Sequence, residues 1–308
     1  MAKRKHGRHK HQKVKRFPVI FTLLSVLLIG TLVFCLVYFY QDPGYRTDLV
    51  QQTPETPKEE IDTTPSQKTG PEEVTWVKQE SPVRLPILMY HAIHVMAPEE
   101  AANANLIVDP STFESHLKAL QEAGYYTLSP EEALRVLRDN EVPDGKKVVW
   151  LTFDDSLWDF HSHAYPLLKQ YQMKATNFVI TGFTENGTAG YLTVDQMLEM
   201  KEHDMSFQGH TVNHPDLAQS SLESQSIELS YSKQFLNQQL SQETIALAYP
   251  AGRYSADTLA VAENTGYQLG LTTNHDLATV DNGMLSLNRL RVLPTTTADI
   301  LLEMIQAD

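Results

Sequence analysis

Cysteine is almost absent from this 308-residue sequence, and its scarcity limits the available chemistry. Cys35 is the only one, and it lies in an uncharged segment near the N-terminus. The rest of the chain therefore has neither a disulfide nor a thiolate nucleophile. The sequence also lacks an internal repeat at a solenoid period and a glycine-rich loop suited to a phosphate.

Acidic residues are absent from the first 40 positions, so the charge divides sharply along the chain. Residues 3–16 hold eight Lys/Arg and three His, whereas all 38 acids come after residue 40. With 17 Lys/Arg against those acids, the part beyond residue 40 has a formal charge of about −21. So acidic a surface argues against binding to nucleic acid or to anionic lipid. We interpret the basic N-terminus as a membrane-topology signal.

The segment Phe17–Tyr40 has 24 residues without a charge, enough to cross a bilayer core of roughly 30 Å as a helix. It ends in aromatic residues, without the small pair of a cleavage site, which favours a transmembrane signal anchor over a cleaved secretory signal. The basic flank predicts a cytoplasmic tail, residues 1–16, and an extracellular remainder at the cell membrane. Residues 41–81 are typical of a disordered linker, and residues 82–308 are predicted to form one large domain.

Short apolar runs alternate with amphipathic stretches through the predicted domain, which indicates an α/β fold with a parallel sheet. Polar side chains follow at least four of these runs: His91, Asp154 with Asp155, His210 and Tyr249. A closed barrel brings such strand ends to one mouth, whereas an open sheet spreads them out, so we expect a barrel. The predicted strands are Pro86–Tyr90, Lys147–Phe153, Lys174–Ile180, Met205–Gln208, Thr244–Tyr249, Tyr267–Thr273 and Leu287–Val292.

Helix starts are marked by capping residues. Ser111 with Glu114 reads as a capping box, and Ser129 precedes a proline at a first helical position. Thr193 begins another capping box, and Ser255 opens a further predicted helix.

The chemical candidates are a pair of carboxylates and a pair of imidazoles. Asp154 and Asp155 follow one apolar run, and His210 and His214 follow another. One Asp with two His leaves a divalent metal such as zinc an open position for water, while the spare Asp can act as a general base. Taken alone, the Asp pair fits a helix cap and turn, and the His pair fits a structural role. Their joint placement after strands favours metal-assisted hydrolysis.

Three segments together resemble the polysaccharide deacetylase family, also called the NodB homology domain or carbohydrate esterase family 4. They are Leu151–Asp155, Gly209–His214 and Ala248–Ser255, and the resemblance covers Leu85 to about Pro294. It implies an irregular seven-stranded (β/α) barrel that removes acetyl groups from glycans with a divalent metal.

The resemblance also assigns roles to individual residues. It makes Asp154 the catalytic base and Asp155 a metal ligand together with His210 and His214. Ser156 departs from the family pattern, which usually has a glycine there.

The catalytic acid of common family members lies in a C-terminal Leu-x-His motif, which has no counterpart after residue 275. Tyr90–Ile93 instead resembles the YHxI segment of a circularly permuted branch, whose members include deacetylases of poly-N-acetylglucosamine. A closed barrel makes permutation easy because its first and last strands are neighbours. The resemblance makes His91 the general acid, and His94 is a competing candidate.

The arginine-bearing segment of the family appears here as Ala248–Arg253, and either Arg253 or Arg289 could partner the base. The resemblance places Tyr249, Pro250 and Ala251 at the substrate and oxyanion, with the backbone N–H of Ala251 as the donor.

These features predict a membrane-anchored, metal-dependent hydrolase that deacetylates an N-acetylated polysaccharide of the cell surface or cell wall, with zinc as the expected metal. An O-acetyl esterase with the same site is one alternative. A catalytically silent glycan-binding protein is another, although the intact set of acids and histidines argues against it.

Overall fold

The computed structural model describes residues 74–306. The predicted cytoplasmic tail, the predicted anchor Phe17–Tyr40 and most of the predicted linker lie outside these residues and stay predictions. Between residues 74 and 306, no helix combines the length and the apolar character that a membrane crossing needs.

Seven strands run side by side in one parallel sheet, and an eighth pairs with one of them. The strands of the described region are β1 (Trp76–Lys78), β2 (Ile87–Tyr90), β3 (Ala92–Ile93), β4 (Ile107–Val108), β5 (Tyr125–Thr127), β6 (Glu141–Pro143), β7 (Lys147–Phe153), β8 (Ala175–Val179), β9 (Met205–Gly209), β10 (Ala246–Ala248), β11 (Leu269–Leu271) and β12 (Leu290–Arg291). The order in the sheet is β11-β10-β9-β8-β7-β2-β12, with β5 beside β7. Each of the seven predicted strands overlaps one strand of this series, which confirms the α/β prediction with a parallel sheet.

The sheet curls until its two ends approach each other. Leu271 of β11 forms a parallel bridge with Leu287, and Leu290 of β12 pairs in parallel with Leu88 of β2. The short stretch from Leu287 to Arg291 therefore contacts β11, at one end of the sheet, and forms the other end beside β2. Because the strands are parallel, their carboxyl ends surround one mouth.

Side chains alternate along β7 and divide the core into two parts. Trp150 is fully buried among residues that come mainly from the strands, and its indole N–H donates to Thr176 Oγ1 at 2.8 Å. Phe153 faces the other way, toward the helices, and stacks on Tyr90 with 5.1 Å between ring centroids. Asp154 continues the series of Trp150, so its carboxylate follows the inner face of the curled sheet.

Most of the helices pack against the face that carries Phe153, whereas the helix Pro130–Asp139 packs with the cluster around Trp150. The α-helices are Pro110–Glu122, Pro130–Asp139, Tyr165–Gln170, Thr181–Glu185, Val194–Lys201, Leu222–Leu240, Ala256–Thr265 and Ala298–Met304. The predicted caps at Ser129, Thr193 and Ser255 are confirmed. The predicted cap at Ser111 is wrong: Asp109 caps this helix by accepting the Ser111 N–H at 2.8 Å, and Pro110 takes the first helical position.

The predicted linker, residues 41–81, extends too far along the chain. Strand β1 lies inside that range and pairs antiparallel with β6. The Arg135 guanidinium lies over the Trp76 ring, 4.5 Å from its centroid. This cation–π contact and the strand pairing hold the Trp76 segment against the domain. The polar residues around Trp76 in the sequence gave no sign of this packing.

Candidate active site

The turn after β7 sends two neighbouring carboxylates in different directions. Asp155 and Ser156 both have left-handed backbone conformations, with φ of 76° and 51°. Ser156 thus adopts the conformation that glycine allows most readily, in the position where the related family usually has glycine. The Ser156 hydroxyl accepts the N–H of Ile180 at 3.3 Å, a contact that glycine would lack.

Asp154 forms a buried ion pair with Arg289. The two guanidinium nitrogens donate to the two carboxylate oxygens at 2.8 and 2.7 Å, and the side chains are 4% and 0% exposed. Burial opposes ionisation of Asp154, but the charge and the hydrogen bonds of Arg289 outweigh it and hold the pKa of Asp154 well below its usual range. Asp154 is therefore an ionised carboxylate in the folded protein.

The structure distinguishes between the two candidate arginines. Arg253 bonds Asp216 at 2.7 Å with a largely exposed side chain, so Arg289 is the partner of Asp154. Arg289 directly precedes β12. From there its Nε donates to the Thr272 carbonyl at 2.8 Å.

Asp155, His210 and His214 converge on one point. One ligand atom from each lies within 4.8 Å of the others. Asp155 Oδ1 is 3.3 Å from His210 Nε2 and 3.5 Å from His214 Nε2. His210 Nδ1 donates to the Ala248 carbonyl at 2.7 Å, which leaves the Nε2 lone pair directed at the cluster. A carboxylate with two imidazoles oriented in this way fits a divalent metal.

Charges within this cluster act on each other. Burial lowers the pKa of His210, but the hydrogen bond and charge of Asp155 outweigh it and raise that pKa above its ordinary value. Burial and the neighbouring His210 lower the pKa of His214. The two imidazoles therefore sit in unequal electrostatic environments.

A helix carboxylate holds the loop that carries the two histidines. Thr211 and His214 are left-handed, with φ of 66° and 58°. Glu228, from the helix Leu222–Leu240, accepts the N–H of Val212 at 2.8 Å and that of Asn213 at 2.9 Å. It also accepts the Asn213 side-chain amide at 2.7 Å. These three bonds fix a loop whose conformation is otherwise unfavourable.

His91 and His94 are held in different ways. His91 follows β2, and burial lowers its pKa although the charges of Asp154 and Asp155 act to raise it. Its ring forms no hydrogen bond with the part of the chain between residues 74 and 306. His94 has both nitrogens engaged: Nδ1 lies 2.6 Å from Asp159 Oδ2, and Nε2 lies 3.1 Å from the Glu100 carboxylate.

The tyrosine ring of the segment after β10 lies in the core. The Tyr249 hydroxyl donates to the Leu285 carbonyl at 2.8 Å, and its ring belongs to a buried cluster. Pro250–Gly252 form a single helical turn in which Ala251 is left-handed, with φ of 51°. A Cβ on Gly252 would overlap Thr273 Oγ1, so this turn requires glycine.

Sequence reasoning missed the residues that hold these groups in place. Glu228 and Asp159 lie outside every segment of the family resemblance, and a lone acid in a helix or turn carries no signal. Gly182 was also missed: a Cβ there would come within 2.6 Å of the Val212 carbonyl oxygen. Only the tertiary contacts reveal these three.

Comparisons with known proteins agree with the geometry. Residues 141–270 match the family model described as polysaccharide deacetylase. YxkH of Bacillus subtilis (strain 168), whose name describes it as a polysaccharide deacetylase, is 38% identical over 272 residues, covering 88% of this chain and 93% of that protein. The poly-beta-1,6-N-acetyl-D-glucosamine N-deacetylase of Staphylococcus epidermidis is 29% identical over 189 residues, covering 58% and 65%.

A solved structure is also similar. The Streptococcus pyogenes deacetylase PplD in complex with acetate has 57% sequence identity and a TM-score of 0.72, and the match covers 74% of this chain and all of that one. With an extensive relative in sequence and the same fold in a solved structure, the chain belongs to the polysaccharide deacetylase family.

Proposed function

We propose that the protein hydrolyses the acetamido group of an N-acetylglucosamine-containing polysaccharide of the cell surface or cell wall, and that it depends on a divalent metal. The observation that carries this proposal is the cluster of Asp155, His210 and His214 beside the ion-paired Asp154. Relatives named as N-deacetylases of poly-beta-1,6-N-acetyl-D-glucosamine support the substrate class. The PplD structure is a complex with acetate, which any deacetylation releases.

Asp155, His210 and His214 would hold the metal, with zinc as the ion that suits this donor set. A divalent ion there would polarise the acetyl carbonyl and lower the pKa of water.

Asp154 would remove a proton from the attacking water. Arg289 keeps this carboxylate ionised and fixes its plane through two hydrogen bonds. The backbone N–H of Ala251 would donate to the oxyanion as negative charge develops on the acetyl oxygen.

His91 would protonate the departing amine. His94 is a poorer donor because both of its ring nitrogens are already engaged by carboxylates. His91 has no such partners among residues 74–306, and it lies near enough to Asp154 and Asp155 for both charges to influence its pKa. Half-buried and near the base, it can exchange a proton within the site.

The test is acetate release by the purified full-length chain. β-1,4- and β-1,6-linked N-acetylglucosamine oligomers and an O-acetylated glycan are offered separately, with Asp154→Asn as the inactive comparison. Release from the N-acetylated oligomers, lost after chelation and restored by a divalent metal, is the expected result. Release from the O-acetylated glycan alone would establish the esterase alternative, and no release from any substrate would favour a silent glycan-binding protein.

We also propose that the uncharged segment Phe17–Tyr40 anchors the catalytic domain outside the cell membrane. The support is the basic N-terminal flank followed by 24 uncharged residues. Protease added to intact cells should remove the domain, and an antibody to residues 1–16 should detect a protected fragment. A domain that stays intact until the cells are lysed would contradict this topology.

A further inference from the structure

A groove extends from the metal-ligand cluster along the surface. Its volume is about 460 Å³, and Asp155 and His214 line the end nearest the cluster. This volume falls within the range of ligand pockets, roughly 300–1,000 Å³. One wall is the 3-10 helical segment Pro98–Leu106, which we call the arm. The other wall contains Trp158 and Tyr191.

The aromatic wall is fixed by its backbone. The Trp158 N–H donates to the Gly190 carbonyl at 3.0 Å, and Leu157 forms an antiparallel bridge with Tyr191. The Tyr191 ring lies against Phe183, with 4.5 Å between centroids. Trp158 is nevertheless 45% exposed, so its indole is not simply part of the core. An exposed indole beside a polar cluster is typical of a binding surface.

His94 connects the two walls. Its Nδ1 lies 2.6 Å from Asp159, and its Nε2 lies 3.1 Å from Glu100 of the arm. Both nitrogens can donate to carboxylates only when the ring is an imidazolium. The ring also stacks on Trp158, with 5.9 Å between centroids and planes 25° apart. One side chain therefore contacts the arm, the buried Asp159 and the aromatic wall.

Asp159 holds His94 from a position inside the protein. Its side chain is fully buried, and Oδ2 accepts the Ile93 N–H at 2.9 Å as well as contacting His94. Oδ1 finds no hydrogen-bond partner among the described residues 74–306. An unpaired buried carboxylate oxygen is unfavourable, so the position of Asp159 depends on the two contacts that Oδ2 makes.

We propose that this groove is the subsite for the sugar unit adjacent to the reacting one, with Trp158 stacking on the apolar face of the pyranose ring and His94 positioning Trp158 and the arm. Amide side chains of Asn103 and Asn213 line the same groove and suit hydroxyl and acetamido groups. This inference rests on the proposed function and adds the side chains that bind the sugar unit next to the reacting one.

Chain-length kinetics test the subsite. The full-length chain and its Trp158→Ala, Trp158→Phe and His94→Gln variants are assayed on N-acetylglucosamine oligomers of one to five units. In the wild type, kcat/KM should rise with chain length. In Trp158→Ala, the gain in kcat/KM from the single sugar to the longer oligomers should be about 10-fold smaller. The reason is that every oligomer long enough to reach the subsite loses its aromatic contact. Trp158→Phe should retain most of the rise, and His94→Gln should fall between the two.

His203→Gln is the matched control, because His203 precedes β9 at the end of the sheet opposite the mouth. It should leave the chain-length profile unchanged, and circular dichroism should show that all variants are folded. A Trp158→Ala variant that keeps the wild-type profile, or that loses the same factor on every length, overturns the subsite.

A binding measurement separates the subsite from the reaction. Asp154→Asn prevents turnover, so the Kd of the pentasaccharide can be measured by calorimetry with and without Trp158→Ala. The second change should weaken binding about 10-fold. If the pentasaccharide binds and binding requires Trp158, but the wild type releases no acetate, the subsite is supported and the proposed reaction is wrong. Absent binding, or binding indifferent to Trp158, overturns the subsite.

Discussion

The two sides of the candidate site are stabilised in different ways. The base side comprises Asp154, Arg289 and His91, and its central ion pair is almost completely shielded from solvent. The groove side comprises the arm, His94 and Trp158, whose indole is 45% exposed. A buried ion pair is stable only when both partners keep their hydrogen-bond geometry, so replacing either one is costly. Side chains on an exposed wall can be replaced with a smaller loss of stability. The base side is therefore suited to fixed chemistry and the groove side to the choice of glycan.

The largest effect should come from His91 on the base side. His91→Ala should reduce kcat by about 10²–10⁴-fold, the range for loss of a positioned acid, while metal content stays normal. Acetate release and metal analysis of the same preparation measure both quantities.

His94→Ala is the comparison on the groove side. It should act mainly through KM for long oligomers, because His94 contacts the groove walls rather than the base. A near-normal kcat for His91→Ala, with kcat lost in His94→Ala, would show that the proton donor lies on the groove side.

Next in size is the loss of the buried ion pair. Arg289→Met leaves the Asp154 carboxylate buried without a partner and should lower the free energy of unfolding by about 3–5 kcal/mol. Arg253→Met, which breaks the exposed pair with Asp216, is the matched control and should cost about 1 kcal/mol or less. Urea unfolding measures both, and equal losses would contradict the difference between buried and exposed pairs.

The ion pair also predicts a dependence on pH. The pKa of Asp154 is depressed in the folded protein, so the pair stabilises fully above the ordinary carboxyl pKa and loses its contribution as pH falls. The unfolding free energies of the wild type and Arg289→Met should therefore begin to converge as the pH falls to about 4, and should continue to converge as it falls toward the depressed pKa of the folded state. A difference that grows on acidification would show that Arg289 stabilises the fold through other contacts.

The sequence predicted the features that depend on residues close together in the chain. Each of the seven strands overlaps its apolar run, and the cluster of Asp155, His210 and His214 follows from strand ends that share one mouth. The partner of the base could not be chosen, because Arg289 is 135 positions from Asp154 and only the curled sheet joins them. The ion-pair geometry and the roles of Glu228 and Asp159 depend on tertiary contacts of the same kind.

The loop that carries His210 and His214 is held by Glu228 of the helix Leu222–Leu240. Glu228→Gln keeps the shape of the side chain but places an amide where Asn213 now donates. Loss of a group that orients metal ligands typically weakens metal binding by about 10–100-fold, which chelator competition would measure. Glu223→Gln, an exposed acid on the same helix, should bind metal normally. Unchanged affinity in Glu228→Gln would mean that the loop keeps its shape without this carboxylate.

The smallest effect concerns the turn that separates Asp154 from Asp155. Ser156 is left-handed, which costs an L-residue roughly 1–2 kcal/mol, but its hydroxyl accepts the Ile180 N–H. Ser156→Gly removes both the strain and the hydrogen bond, so the net change in unfolding free energy should be below about 1 kcal/mol. Ser156→Ala keeps the strain and loses the bond, and should be less stable than Ser156→Gly by about 1 kcal/mol. Thermal unfolding of the two variants side by side measures this difference. If Ser156→Ala proves as stable as the wild type while Ser156→Gly is clearly weaker, the hydroxyl contact is irrelevant and the base side depends on the stiffness of this turn.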